Sequence, residues 1–175
     1  SISTIPEFLA SLPESAQWTL QELCFTGSLP QLLSSLPLGQ AIAVSDGSYA
    51  DHRGTASWIL TNQHDSVSGL CSIPGVARFH NSYRSELGGL YGILLFLWSI
   101  EQVYPAIDIH LSIYCDGLEA IRKSEGQNVT GIPNGEFSEI SLLEPTKHYQ
   151  NSISVLQRRS SPSGIYNEPI YSEYA

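Results

Sequence analysis

Three acidic residues, far apart along the chain, stand where carboxylates can do chemistry. Asp46 ends the run Ala41–Asp46 (AIAVSD) and is followed at once by Gly47, Ser48 and Tyr49. Ile42 and Val44 alternate there with small residues, as a half-buried strand requires, and Asp46 falls on their face at the strand's end. Glu86 lies on a long apolar helix. Asp116 follows the alternating run Ile109, Leu111, Ile113 and Cys115, and so closes a second strand. Each acid has a plain reading alone: Asp46 can open a turn, Glu86 can favour a helix dipole, and Asp116 can cap the helix after it. Taken together they stand at matching ends of elements whose order forms one compact sheet. Three unpaired carboxylates at one rim would repel and resist ionisation. Magnesium relieves that crowding while keeping positions for water and a substrate phosphate. A pair of such ions about 4 Å apart can activate a water and stabilise the leaving oxygen in phosphodiester cleavage.

The elements that must position these acids are readable in order. Residues 1–40 are rich in Leu, Ser and Pro, with Leu-Pro at Leu12-Pro13, Leu29-Pro30 and Leu36-Pro37. Short helical turns around Phe8–Leu12, Trp18–Cys24 and Leu29–Leu36 fit that pattern, and the segment reads as a helical linker or connection. Strands are expected at Ala41–Asp46, Thr55–Thr61 and Ser66–Ile73, joined by Tyr49 to Gly54 and by a tight turn over Asn62–Asp65. Such short links favour an antiparallel meander. Asn81 or Ser82 can cap a helix reaching about Ile100, with Leu87, Leu90, Tyr91, Leu94, Leu95 and Trp98 at helical spacing. That helix permits the strand 109–115 to pair in parallel through a right-handed crossover. A fifth strand is expected at Ser152–Gln157. The fold class is therefore α/β, a five-stranded mixed sheet over 41–159 with flanking helices, and residues 160–175 are an unassigned tail.

Composition limits the function. The chain has 175 residues and a net charge of -9, which argues against strong nonspecific nucleic-acid binding without metal or a neighbouring domain. Residues 1–40 carry three acids and no Lys or Arg, whereas 41–125 carry nine acids and five bases. No run reaches the roughly eighteen apolar residues of a membrane span. Cys24, Cys71 and Cys115 are widely spaced and read as reduced core residues of an intracellular (cytoplasmic or nuclear) protein. His52, His64, His80, His110 and His148 show no ligand spacing and read as structural or exposed. Ser45 and Ser85 lie near the acids, but no His–Asp set supports a serine nucleophile.

The segments DGSY (46–49), GTASWIL (54–60), NSYRSELGGLYGIL (81–94) and IYCDGLEAI (113–121) resemble the ribonuclease H-like domain of retroelement polyproteins. The resemblance covers about residues 41–125 and continues more weakly to 157. It implies hydrolysis of the RNA strand of RNA/DNA hybrids with two magnesium ions. Asp46, Glu86 and Asp116 match the first three metal-binding acids. Gly47, Ser48, Asn81, Ser82 and Arg84 match positions touching the hybrid's backbone. A reverse transcriptase upstream in a retrotransposon polyprotein is implied, with residues 1–40 as its connection. Glu173 is the candidate fourth acid, ahead of Glu168, and no histidine follows His148, where the family carries one before its final helix. The rival reading, from another class, is a catalytically silent scaffold or connection domain that keeps the fold.

Overall fold

A computed structural model describes residues 4–115 and 153–157. Its elements are α1 (Ile5–Ala10), α2 (Glu14–Gln17), β1 (Glu22–Thr26), α3 (Leu29–Ser35), β2 (Ile42–Ala50), β3 (Arg53–Thr61), β4 (Ser66–Ser72), α4 (Ser82–Val103), β5 (Leu111–Cys115) and β6 (Ile153–Gln157). The strands form one mixed sheet in the order β1-β4-β3-β2-β5-β6. β1 to β4, β4 to β3 and β3 to β2 are antiparallel, whereas β2 to β5 and β5 to β6 are parallel. The α/β class, the meander and the parallel pairing after the long helix are as the sequence implies.

Three details differ. The described sheet has six strands rather than five, because Glu22–Thr26 forms an edge strand where a helical turn over Trp18–Cys24 is expected. Only Trp18–Leu20 keeps a helical twist, as a single 3-10 turn. Leu23 and Phe25 then alternate with Glu22, Cys24 and Thr26, and period-two patterning wins over the local helical signal. Cys24 is consequently exposed on that edge, not in the core with Cys71 and Cys115. Finally, β2 and β3 run further than expected, to Ala50 and from Arg53, around a two-residue turn. Asp51 and His52 both take positive φ there (51° and 63°), the geometry of a tight hairpin.

Residues 5–36 belong to the same hydrophobic cluster as the sheet. Ile5, Leu9, Leu12, Trp18, Leu32 and Leu36 are buried with it. Trp18 stacks on Tyr91 at 5.5 Å between ring centres, and Phe8 meets Trp98 edge-on at 5.5 Å. α4 is thus covered by the sheet on one side and by the N-terminal turns on another. Almost every residue from Ser85 to Ile100 is buried, which explains a helix apolar nearly all round.

The strand register arranges the sheet face beneath α4 in rows. One row is Ala43, Leu60 and Val67, the next is Ser45, Trp58 and Gly69, and the last is Gly47, Ala56 and Cys71. Ala43 extends the first row to Ile113 of β5. The Trp58 indole fills a slot between Gly69 and Gly92, where any Cβ would strike its ring, and it also packs on Phe96 at 5.7 Å. On the second face Val44 and Ile59 are buried but lie outside that cluster.

Cys71 lies in the core and donates weakly to the Ala56 carbonyl at 3.7 Å. Burial pushes its thiol up to about 12, so it stays protonated near neutrality and offers no nucleophile.

Opposite the hairpin, Asp65 ties the β3–β4 turn to the start of α3. Its Oδ1 accepts from the Ser28 amide at 2.8 Å, and its Oδ2 accepts from Asn62 Nδ2 at 3.1 Å. The Ser28 amide, seconded by Asn62, holds the Asp65 carboxyl below the usual carboxylate range. A depressed folded pKa contributes stability that is complete above the ordinary carboxylate range and lost as pH falls through the folded value. The melting temperature should therefore drop on acidification below that range, and Asp65→Asn should flatten this part of the profile. Gly92→Ala provides a test of the core. Helix propensity favours Ala by about 1 kcal/mol, but the new methyl collides with Trp58, and overpacking costs about 1–3 kcal/mol. The net effect expected in denaturant unfolding is a loss of stability.

Candidate functional site

The site is built where β2, β5 and the first turns of α4 come together. Asn81 caps α4 as expected, its Oδ1 accepting from the Arg84 amide at 2.7 Å. Glu86 then lies in the second turn and is only 9% exposed. Its carboxylate does not serve the helix dipole from solvent. It reaches the sheet instead, where Oε1 accepts from the Gly47 amide of β2 at 3.2 Å and Oε2 accepts from the Cys115 thiol of β5 at 3.3 Å.

Gly47 permits this approach. A Cβ there would stand 2.5 Å from both the Glu86 nitrogen and the Ser85 carbonyl carbon. Ser45, two residues earlier on the same face, lies equally close to the helix: a Cβ on Gly89 would be 3.0 Å from Ser45 Cβ. The Ser45 hydroxyl is buried without a hydrogen-bond partner among the described residues.

Asp46 precedes the amide that Glu86 binds. Strand alternation places it with Ile42 and Val44 on the second face, half-buried. Asp46 lies inside β2, the fifth of its nine residues, rather than at a strand end as the sequence suggests, because the β2–β3 pairing continues to Ala50. Glu86 binds the next amide from the face under α4. Asp116 follows Cys115 directly in sequence and lies outside the described residues, as does Glu173. Among the described residues no group of three or more His, Cys, Asp and Glu is assembled.

The five positions expected to touch a nucleic-acid backbone are distributed around this rim. Ser48 and Ser82 are exposed. Gly47 uses its amide on Glu86, and Asn81 uses its side-chain oxygen as the cap. Arg84 donates through Nε (3.3 Å) and Nη2 (3.0 Å) to the Pro74 carbonyl, fixing the segment that leads into the helix.

His80 stiffens the same rim and is structural, as its lack of ligand spacing suggests. Its Nδ1 accepts from the Gly54 amide at 2.9 Å, which leaves Nε2–H to donate to the Gly75 carbonyl at 2.9 Å. His52, His64 and His110 are exposed, and His148 lies outside the described residues.

Charge is distributed unevenly. Among the described residues the Lys and Arg side chains are Arg53, Arg78 and Arg84, and all three belong to this end: the hairpin, the turn before α4, and its first turn. Asp65, Glu101 and Asp108 lie at the opposite end. A separate apolar groove of about 430 Å³, lined by Leu29, Leu33, Pro37, Tyr104 and Ile107, also lies there, away from the acids.

Sequence reasoning missed two of these residues. Cys115 reads as plain core because its neighbours alternate as a buried strand. Ser45 was noted only as a nucleophile lacking its partners. Comparison with models of protein families and with curated proteins returns no match to the chain. No helix among the described residues is long and apolar enough to cross a membrane.

The fit at Gly47 makes a direct prediction. Gly47→Ala should cost about 3 kcal/mol as helix and strand are forced apart. Ser48→Ala, on the exposed neighbour, should stay within about 0.5 kcal/mol of the parent. Chemical denaturation of both variants measures the difference.

Proposed function

We propose that this chain is a metal-dependent endoribonuclease of the ribonuclease H-like kind, hydrolysing the RNA strand of RNA/DNA hybrids as part of a retroelement polyprotein. The observation that supports this reading best is the buried Glu86 carboxylate, lowered from α4 onto the amide that follows Asp46. Burying a carboxylate costs several kcal/mol unless it is satisfied, and here a main-chain amide and a thiol from two strands hold Glu86 beside the residue that follows Asp46. The parallel neighbour β5 ends at Cys115, the residue before Asp116 in the sequence.

Magnesium bound by these carboxylates would activate a water and stabilise the leaving oxygen of a phosphodiester. In this reading Asp46 and Glu86 supply oxygen ligands, with Asp116 as the third and Glu173 as the candidate fourth. Gly47 and Cys115 orient Glu86. Arg53, Arg78 and Arg84 stand at the same end as Asp46, Asp51 and Glu86 and offer positive charge to a polyanionic backbone there. A covalently linked reverse transcriptase would supply further hybrid-binding surface and an intracellular setting.

A second reading has its own support. Both oxygens of Glu86 already accept hydrogen bonds, so the pair is satisfied within the protein, as a silent scaffold requires. Magnesium separates the two. In the enzyme reading the wild-type chain cleaves a labelled hybrid only with magnesium, and the ion raises its melting temperature. Asp46→Asn and Glu86→Gln should each lower cleavage by roughly a hundredfold or more, since a metal ligand is lost. Indifference of both melting and cleavage to magnesium would leave the scaffold.

A further inference from the structure

We propose that Cys115 is a positioning residue for the candidate cation site, holding the Glu86 carboxylate in the orientation in which it receives the ion. The inference rests on the cation-binding reading of Asp46 and Glu86. A glutamate side chain on a helix has three torsions and needs two anchors to be fixed. One anchor is the Gly47 amide on β2, and the other is the Cys115 thiol on β5. These two strands are parallel neighbours, so the carboxylate bridges them from above. Cys115 is fully buried and Glu86 nearly so. Water is therefore a poor substitute for the thiol, and loss of the S–H removes the donor that β5 supplies to the carboxylate. Groups that orient a metal's ligands in this way are worth about tenfold to a hundredfold in metal affinity.

Packing is the competing account, because Cys115 also belongs to the hydrophobic cluster. Cys71 is a matched control: a buried thiol beneath the same helix, bonded to the Ala56 carbonyl instead of a carboxylate. The test uses the 175-residue chain and follows melting temperature as magnesium is titrated, each variant being referred to its own metal-free value. Cys115→Ala should raise the magnesium midpoint about tenfold. Cys115→Ser, which restores an oriented donor, should bring it back to within about twofold of wild type. Cys71→Ala should lower the metal-free melting temperature and leave the midpoint alone. A wild-type midpoint in Cys115→Ala, or an equal shift in Cys71→Ala, overturns the positioning role while the cation site stands. No magnesium response in the wild-type chain overturns the site itself, and the positioning role with it.

Discussion

The closeness of α4 to β2 is the constraint from which the rest of the structure follows. Gly47 leaves no space for a Cβ against the helix backbone, and Gly89 brings the helix down onto Ser45. Gly92 and Gly69 open the slot that the Trp58 indole occupies. Glycine within a helix costs about 1 kcal/mol each relative to alanine. The compensation is a helix seated near enough for Glu86 to reach main chain on one strand and a thiol on the next. A helix held one side-chain layer higher would leave that carboxylate short of the sheet.

Three of the eight buried polar side chains among the described residues meet along the same contact. Glu86, Ser85 and Ser45 lie between helix and sheet in an otherwise apolar layer. Ser85 satisfies itself on the Asn81 carbonyl at 3.1 Å, and Glu86 is held by donors from two strands. Ser45 Oγ and Trp58 Nε1 have no partner among the described residues, each at a cost on the order of 1–3 kcal/mol. The rim above the seam is stiffened by His80 between Gly54 and Gly75, and by Arg84 on Pro74. The positive charge of Arg84 is thereby carried on a fixed framework.

Much of this was open to a reader of the sequence, because the relevant signals are local. Alternation at Ile42–Val44 and Ile109–Cys115, short links between the meander strands, and Asn81 before an apolar stripe each report a nearest-neighbour preference. Where local signals compete, reading fails. Trp18–Cys24 combines helical spacing with a period-two run of Leu23 and Phe25, and only pairing with β4 decides that Glu22–Thr26 is a strand. Asp51 and His52 carry weak turn signals, and the hairpin tightens there because the β2–β3 register extends to Ala50 and Arg53.

Composition, periodicity and capping residues by themselves determined the α/β class, the order of the meander and the helix, and the placing of Asp46 on the first meander strand and Glu86 near the start of the long helix. They act through backbone geometry and hydrophobic burial, which a chain expresses over a few residues. Tertiary structure decided that Glu86 faces the sheet rather than solvent, and that Cys115 is its partner. It also decided that, among the described residues, Arg53, Arg78 and Arg84 gather at one end. Those outcomes depend on distances between residues 29 to 39 positions apart, set by how closely a helix can approach a strand, and linear spacing carries no measure of that closeness.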